Sequence, residues 1–117
     1  MSKNIFYHNP RCRKSRETLQ IVEKKNVDFE IVEYLKDPPN ITQLKYILES
    51  LGKKPLEIMR TQEKVFKELN LSKKDLKSDD EWIEIMVANP ILIERPILIY
   101  KNKVTLGRPP ENVLKIL

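Results

Sequence analysis

The chain has 117 residues, 40% apolar and 33% charged, with 22 Lys and Arg against 17 Asp and Glu for a net charge of +5. Its single Cys excludes an internal disulfide, and one Cys with one His cannot supply the four ligands of a structural zinc site. No apolar run approaches the ~20 residues that span a bilayer, and MSKNIFYHNP lacks a signal-peptide core, so one compact cytoplasmic domain over residues 1-117 is expected, with no membrane partner.

Asn4–Tyr7 reads as a short strand, ended by His8-Asn9-Pro10. A helix follows over 11–25, with Cys12, Ser15, Leu19 and Val22 on one stripe. Residues 27–35 read as a second strand, because Val27, Phe29 and Ile31 alternate with Asp28 and Glu30. This opening is a β-α-β unit with a parallel pairing. Asp37-Pro38-Pro39 ends it, and a helical block occupies roughly 40-90. Within the block, Asn40 is an N-cap for a helix whose face is Ile41, Leu44, Ile47, Leu48 and Leu51, and Gly52 closes it. Residues 56–59 and 65–71 suggest shorter helical pieces. Ser78-x-x-Glu81 is a capping box for a helix carrying Trp82, Ile85 and Met86, which stops at Asn89-Pro90.

The period then returns to two. Residues 96–100 and 104–106 read as strands around a Lys101-Asn102-Lys103 turn, and Pro109-Pro110-Glu111 opens a final helix through Leu117. Setting the insertion aside, β-α-β followed by β-β-α is the element order of the thioredoxin fold. The expected class is therefore α/β, thioredoxin-like, with a helical insertion between the two halves.

Cys12 is the first candidate for chemistry. It stands where a strand gives way to a helix, and unpaired N–H groups and the helix dipole there stabilise a thiolate. Arg11, Arg13, Lys14 and Arg16 add positive charge, and the Ser15 hydroxyl lies within reach of the thiol or of a bound anion. The competing reading makes Cys12 a small buried hydrophobe at the head of the stripe. The four basic neighbours weigh against that.

Arginine is the second clue. Sixteen of the 22 basic residues are Lys, so the six Arg stand out. Three flank Cys12, and the others are Arg60, Arg95 and Arg108, the last two each before a Pro. Their planar forks suit tetrahedral oxyanions. Taken singly, Arg60 reads equally as a helix-surface residue paired with a Glu, and Arg95 and Arg108 as loop residues. His8 could tune the thiolate, although a partly exposed loop His is the commoner outcome. The charge is spread along the chain with no aromatics interleaved, which argues against nucleic acid. With one thiol, any redox cycle must take its resolving thiol from outside.

The run Tyr7-His8-Asn9-Pro10-Arg11-Cys12-Arg13-Lys14-Ser15-Arg16 resembles the glutaredoxin-coupled arsenate reductase family. The likeness continues at Arg60, at Asn89-Pro90-Ile91-Leu92-Ile93-Glu94-Arg95-Pro96-Ile97 and at Gly107-Arg108-Pro109, and so spans nearly the whole chain. The resemblance implies a thioredoxin-like fold with a cis Arg95-Pro96 peptide. It implies that Cys12 attacks arsenate, that Arg60, Arg95 and Arg108 hold the oxyanion, and that His8 and Ser15 support the thiolate. No bound cofactor is implied. Glutathione or another small thiol would be co-substrate and glutaredoxin the partner. One departure stands out, since members of that family carry small uncharged residues where this chain has Arg13 and Lys14. Two other readings share the fold. One is a thiol oxidoreductase acting on glutathione mixed disulfides. The other is an Spx-like regulator that binds RNA polymerase, although Ser15 removes the Cys-x-x-Cys switch common there.

Overall fold

The computed structural model describes residues 4–117. The chain forms two compact units. One holds the chain up to Asp37 together with Arg95–Leu117, and the other is Pro38–Glu94.

The first unit is built on a four-stranded mixed sheet in the order β2-β1-β3-β4. Strand β1 (Ile5–His8) leads into α1 (Arg13–Lys24), which returns to β2 (Glu30–Glu33), parallel to β1. Strands β3 (Ile97–Tyr100) and β4 (Lys103–Leu106) are antiparallel, and β3 also pairs antiparallel with β1. A 3-10 helix over Pro110–Lys115 closes the unit. One face of the sheet is sealed by Phe6, Val22, Leu98 and Val113, with Leu19, Val27, Phe29 and Ile116 packed around them. Burial of such side chains is worth ~1.5–3 kcal/mol each, and here it fixes α1 to the sheet.

Local chemistry sets the corners. Lys101 and Asn102 both have positive φ, at 49° and 67°, as a two-residue hairpin requires. The hairpin is therefore one residue tighter than the sequence suggests, and β4 starts at Lys103. Asn4 Oδ1 accepts the Lys101 N–H at 2.8 Å, which ties the hairpin to the start of β1.

Three expectations are corrected here. The second strand is four residues long instead of nine, because β1 offers only four partners. Val27 and Phe29 still pack inward, but Ile31 sits on the sheet's edge strand and is 45% exposed. The last helix is 3-10, not α. Its apolar residues Pro110, Val113 and Ile116 recur every third position, the 3-10 repeat.

The second unit contains α2 (Ile41–Leu51), a 3-10 turn over Pro55–Ile58, α3 (Lys64–Glu68), α4 (Asp79–Ala88) and a 3-10 turn over Pro90–Leu92. Both expected caps form. Asn40 with Gln43 and Ser78 with Glu81 make complete capping boxes, and Gly52 ends α2 in the left-handed region at φ 66°. The short α3 ends at Glu68, three residues before the expected end, and Asn70 just beyond its C-cap has φ 56°. Leu44, Ile47, Ile58, Phe66, Trp82, Met86 and Leu92 are buried. Phe66 and Trp82 stack with centroids 6.5 Å apart, so Trp82 is a core residue as its helical spacing suggests. Among the described residues no helix is long and apolar enough to cross a membrane.

Candidate active site at the start of helix α1

Cys12 is the N-cap of α1, in extended backbone at φ −92° and ψ 122°. It makes no side-chain cap, so its sulfur is left to the first turn of backbone N–H groups. The helix therefore begins at Arg13 rather than Arg11. The thiol is half-buried. Burial by itself pushes the thiol up. The backbone N–H of Ser15, the Arg95 guanidinium and the backbone N–H of Lys14 outweigh it and hold the thiol below its ordinary value. The donor that reaches the sulfur from Ser15 is thus its main chain.

The Ser15 hydroxyl is engaged elsewhere. It lies fully buried, 2.6 Å from His8 Nδ1, and accepts the Asn9 N–H at 3.0 Å. His8 is not a loop residue. It ends β1 and is buried. Burial holds its imidazole below the usual 6.5 and so favours the neutral ring, with Arg16 acting in the same sense and Glu33 and Glu23 opposing.

Asn9 was not among the candidates, yet it organises the loop. Its carbonyl accepts the Cys12 N–H at 3.0 Å, and its Oδ1 accepts the Arg11 N–H at 3.1 Å. An Asn followed by Pro is the one sequence sign of such a turn. Thr18 was missed as well. It replaces Leu19 as the fully buried residue of the α1 stripe, and its Oγ1 donates to Lys14 O at 2.6 Å while lying 3.3 Å from Gly107 O. Gly107 in turn donates its N–H to Pro96 O at 2.9 Å. A Cβ at Gly107 would lie 2.6 Å from Thr18 Cγ2 and 2.7 Å from Pro96 Cγ, so only glycine fits. This close contact brings the two Arg-Pro segments together. Both Arg95-Pro96 and Arg108-Pro109 are cis, and Arg108 Nη1 donates to Arg95 O at 3.4 Å.

Cys12, His8, Ser15, Arg95 and Arg108 therefore gather in the first unit. Arg60 belongs to the second. There its Nε donates to Glu63 at 2.9 Å and its Nη1 to Glu94 at 2.8 Å, with all three side chains 25% exposed. Burial tends to strip its proton, but the two carboxylates prevail and its pKa is raised. Arg13 and Lys14 point outward. Their side chains are 83% and 52% exposed and lie 3.6 Å and 3.9 Å from Glu17. Among the described residues no cluster of His, Cys, Asp and Glu could hold a metal ion.

An anion approaching Cys12 would thus meet a thiolate-competent sulfur beside an Arg-bearing loop. Residues 7–116 match the ArsC family. The chain is 46% identical over 118 residues to YfgD, an uncharacterized protein of Escherichia coli K12, covering 99% of this chain and 98% of that one. It is 43% identical over 114 residues to an arsenate reductase of Haemophilus influenzae, covering 97% of each. The solved structure of an arsenate reductase from Vibrio cholerae matches with a TM-score of 0.90 at 41% identity, again over 97% of each chain. The likeness runs through the Cys12 loop, the insertion and both Arg-Pro segments, and the chain belongs to the ArsC family.

Proposed function

We propose that this chain is an arsenate reductase whose one thiol, Cys12, is resolved by an external small thiol and a glutaredoxin. The observation that carries the reading is the state of Cys12. A half-buried thiol is held below its ordinary value by two N–H groups of α1 and by Arg95. Relatives named as arsenate reductases match over nearly the full length.

The steps balance as follows. Cys12 attacks arsenic(V), an S–As bond forms, and one arsenate oxygen leaves as water. Arg95, with Arg108 beside it, offsets the charge that builds on the oxyanion, an electrostatic contribution of the oxyanion-hole type. Glutathione then adds to arsenic and displaces a second oxygen as water. The glutaredoxin thiol attacks the glutathione sulfur, and the As–S electron pair returns to arsenic. Arsenic(V) becomes arsenic(III), and the two outside thiols end as a disulfide. Water cleaves the remaining S–As bond, which frees arsenite and restores Cys12.

The test is NADPH oxidation coupled through glutathione reductase, with glutathione, glutaredoxin and arsenate, run beside Cys12→Ser. Turnover that disappears in the variant is the expected result. Turnover that survives it, or none in the native protein while Cys12 still reacts with a thiol probe at neutral pH, would sink the arsenate reading.

A further inference from the structure

Cys12 is the only cysteine, so each cycle requires a second thiol within bonding distance of it. The surface crossed on that approach is strongly cationic. Arg11, Arg13, Lys14 and Arg16 are all exposed around the start of α1, and Arg108 is exposed on the adjoining Arg-Pro segment. Glu17 lies 3.6 Å from Arg13 and 3.9 Å from Lys14. The imbalance belongs to this unit as a whole. It carries 13 Lys and Arg against seven Asp and Glu, whereas Pro38–Glu94 carries nine against ten.

The Ser15 and Lys14 N–H groups and the Arg95 guanidinium act on the thiol directly, whereas the exposed Arg11 and Arg13 side chains face solvent. Their field acts on whatever comes from solvent. We propose that this rim is a docking surface for a thiol-donating protein whose own reactive cysteine lies in an acidic surface. The inference rests on the reading that Cys12 is resolved by an outside thiol. Exposed guanidinium groups in the turn before α1 and in its first turn engage several acids of a macromolecule at once, and they steer its encounter from a distance. Nucleic acid would also answer to the charge. However, the nearby aromatic rings of Phe6 and Tyr7 are buried and offer no stacking platform.

The test needs no arsenate. Cys12 is converted by Ellman's reagent into its mixed disulfide with thionitrobenzoate. A donor thiolate attacks the Cys12 sulfur, a new S–S bond forms, and the coloured thionitrobenzoate anion leaves. The donors are an acidic glutaredoxin, the same glutaredoxin with its surface acids changed to Lys, and 2-mercaptoethanol. The acidic donor is expected to slow about tenfold between roughly 0.02 and 0.5 M salt, and to react about three- to tenfold more slowly with Arg11→Gln/Arg13→Gln at low salt. The rate with 2-mercaptoethanol should not change in the variant. A salt-independent rate overturns the proposal even if the variant fails to fold. So does an equal rate for the charge-reversed donor, or suppression of the acidic donor by equimolar duplex DNA. Loss of arsenate turnover alone would remove the reductase reading and leave these rates to decide the rim.

Discussion

The Cys12 thiol is a contest between one unfavourable effect and several favourable ones. Burial raises its pKa, and the N–H groups of Ser15 and Lys14 and the Arg95 guanidinium lower it further than burial raises it. Arg95→Ala removes the one full charge in that set. The midpoint of Cys12 alkylation by iodoacetamide should therefore move to higher pH in Arg95→Ala, with Arg95→Lys between the two. The same shift has a sign in stability. The folded thiol lies below the ordinary 9.0, so the unfolded chain keeps this proton to higher pH. The stability that the thiolate contributes is fully present above pH 9 and is lost as pH falls through the lowered folded value. Urea unfolding of the native protein measured against Cys12→Ser across that window should show the difference growing with pH. Cys12 and the Arg residues were legible in the sequence because a lone thiol at a strand–helix junction and Arg in a Lys-rich chain are rare events. Asn9 and Thr18 were not. A buried polar residue in a loop or on a helix face is set by which distant N–H or C=O needs it, and that need comes from tertiary contacts.

Local rules succeeded wherever one element decides its own ends. Asn40, Ser78 and Gly52 are caps by their own chemistry, and each was read correctly. They failed where a neighbour decides. The length of β2 is limited by β1, and the 3-10 geometry at Pro110–Lys115 follows from how Val113 packs against α1. The two glycines make this contrast measurable. Gly52 has φ 66° and open space around its Cβ position, so Gly52→Ala costs only the left-handed backbone, about 1 kcal/mol. Gly107 has an ordinary φ, but a Cβ there would strike Thr18 and Pro96. Gly107→Ala must displace the segment that carries Arg95 and Arg108 from α1, at a cost of about 1–3 kcal/mol. Urea midpoints should rank the two, with Gly107→Ala lower. Only Gly107→Ala should also raise the Cys12 alkylation midpoint, because it alone disturbs Arg95. Equal midpoints, or an unmoved thiol in Gly107→Ala, would deny that the glycine contact positions the arginines.

Across the whole molecule, the two units use their arginines differently. Consecutive residues divide the work, since Glu94 closes the Pro38–Glu94 unit by holding Arg60 while Arg95 acts on Cys12. The family resemblance alone treats Arg60, Arg95 and Arg108 as equivalents, because a sequence shows which residues are present and not which partners they hold. In the structure Arg60 has committed Nε and Nη1 to two carboxylates. Arg60→Ala takes the guanidinium away from two partly buried carboxylates, Glu63 and Glu94, and the unit should lose about 1–3 kcal/mol. The loss should shrink as acid protonates the carboxylates, and Arg60→Ala/Glu94→Gln should recover part of it at neutral pH. The arsenate KM should rise less in Arg60→Ala than in Arg95→Ala, because a guanidinium already bound to two acids has less to offer an anion. Native-like stability in Arg60→Ala, combined with lost arsenate saturation, would reverse that ranking and make oxyanion binding, not the carboxylate clamp, the reason this position is Arg.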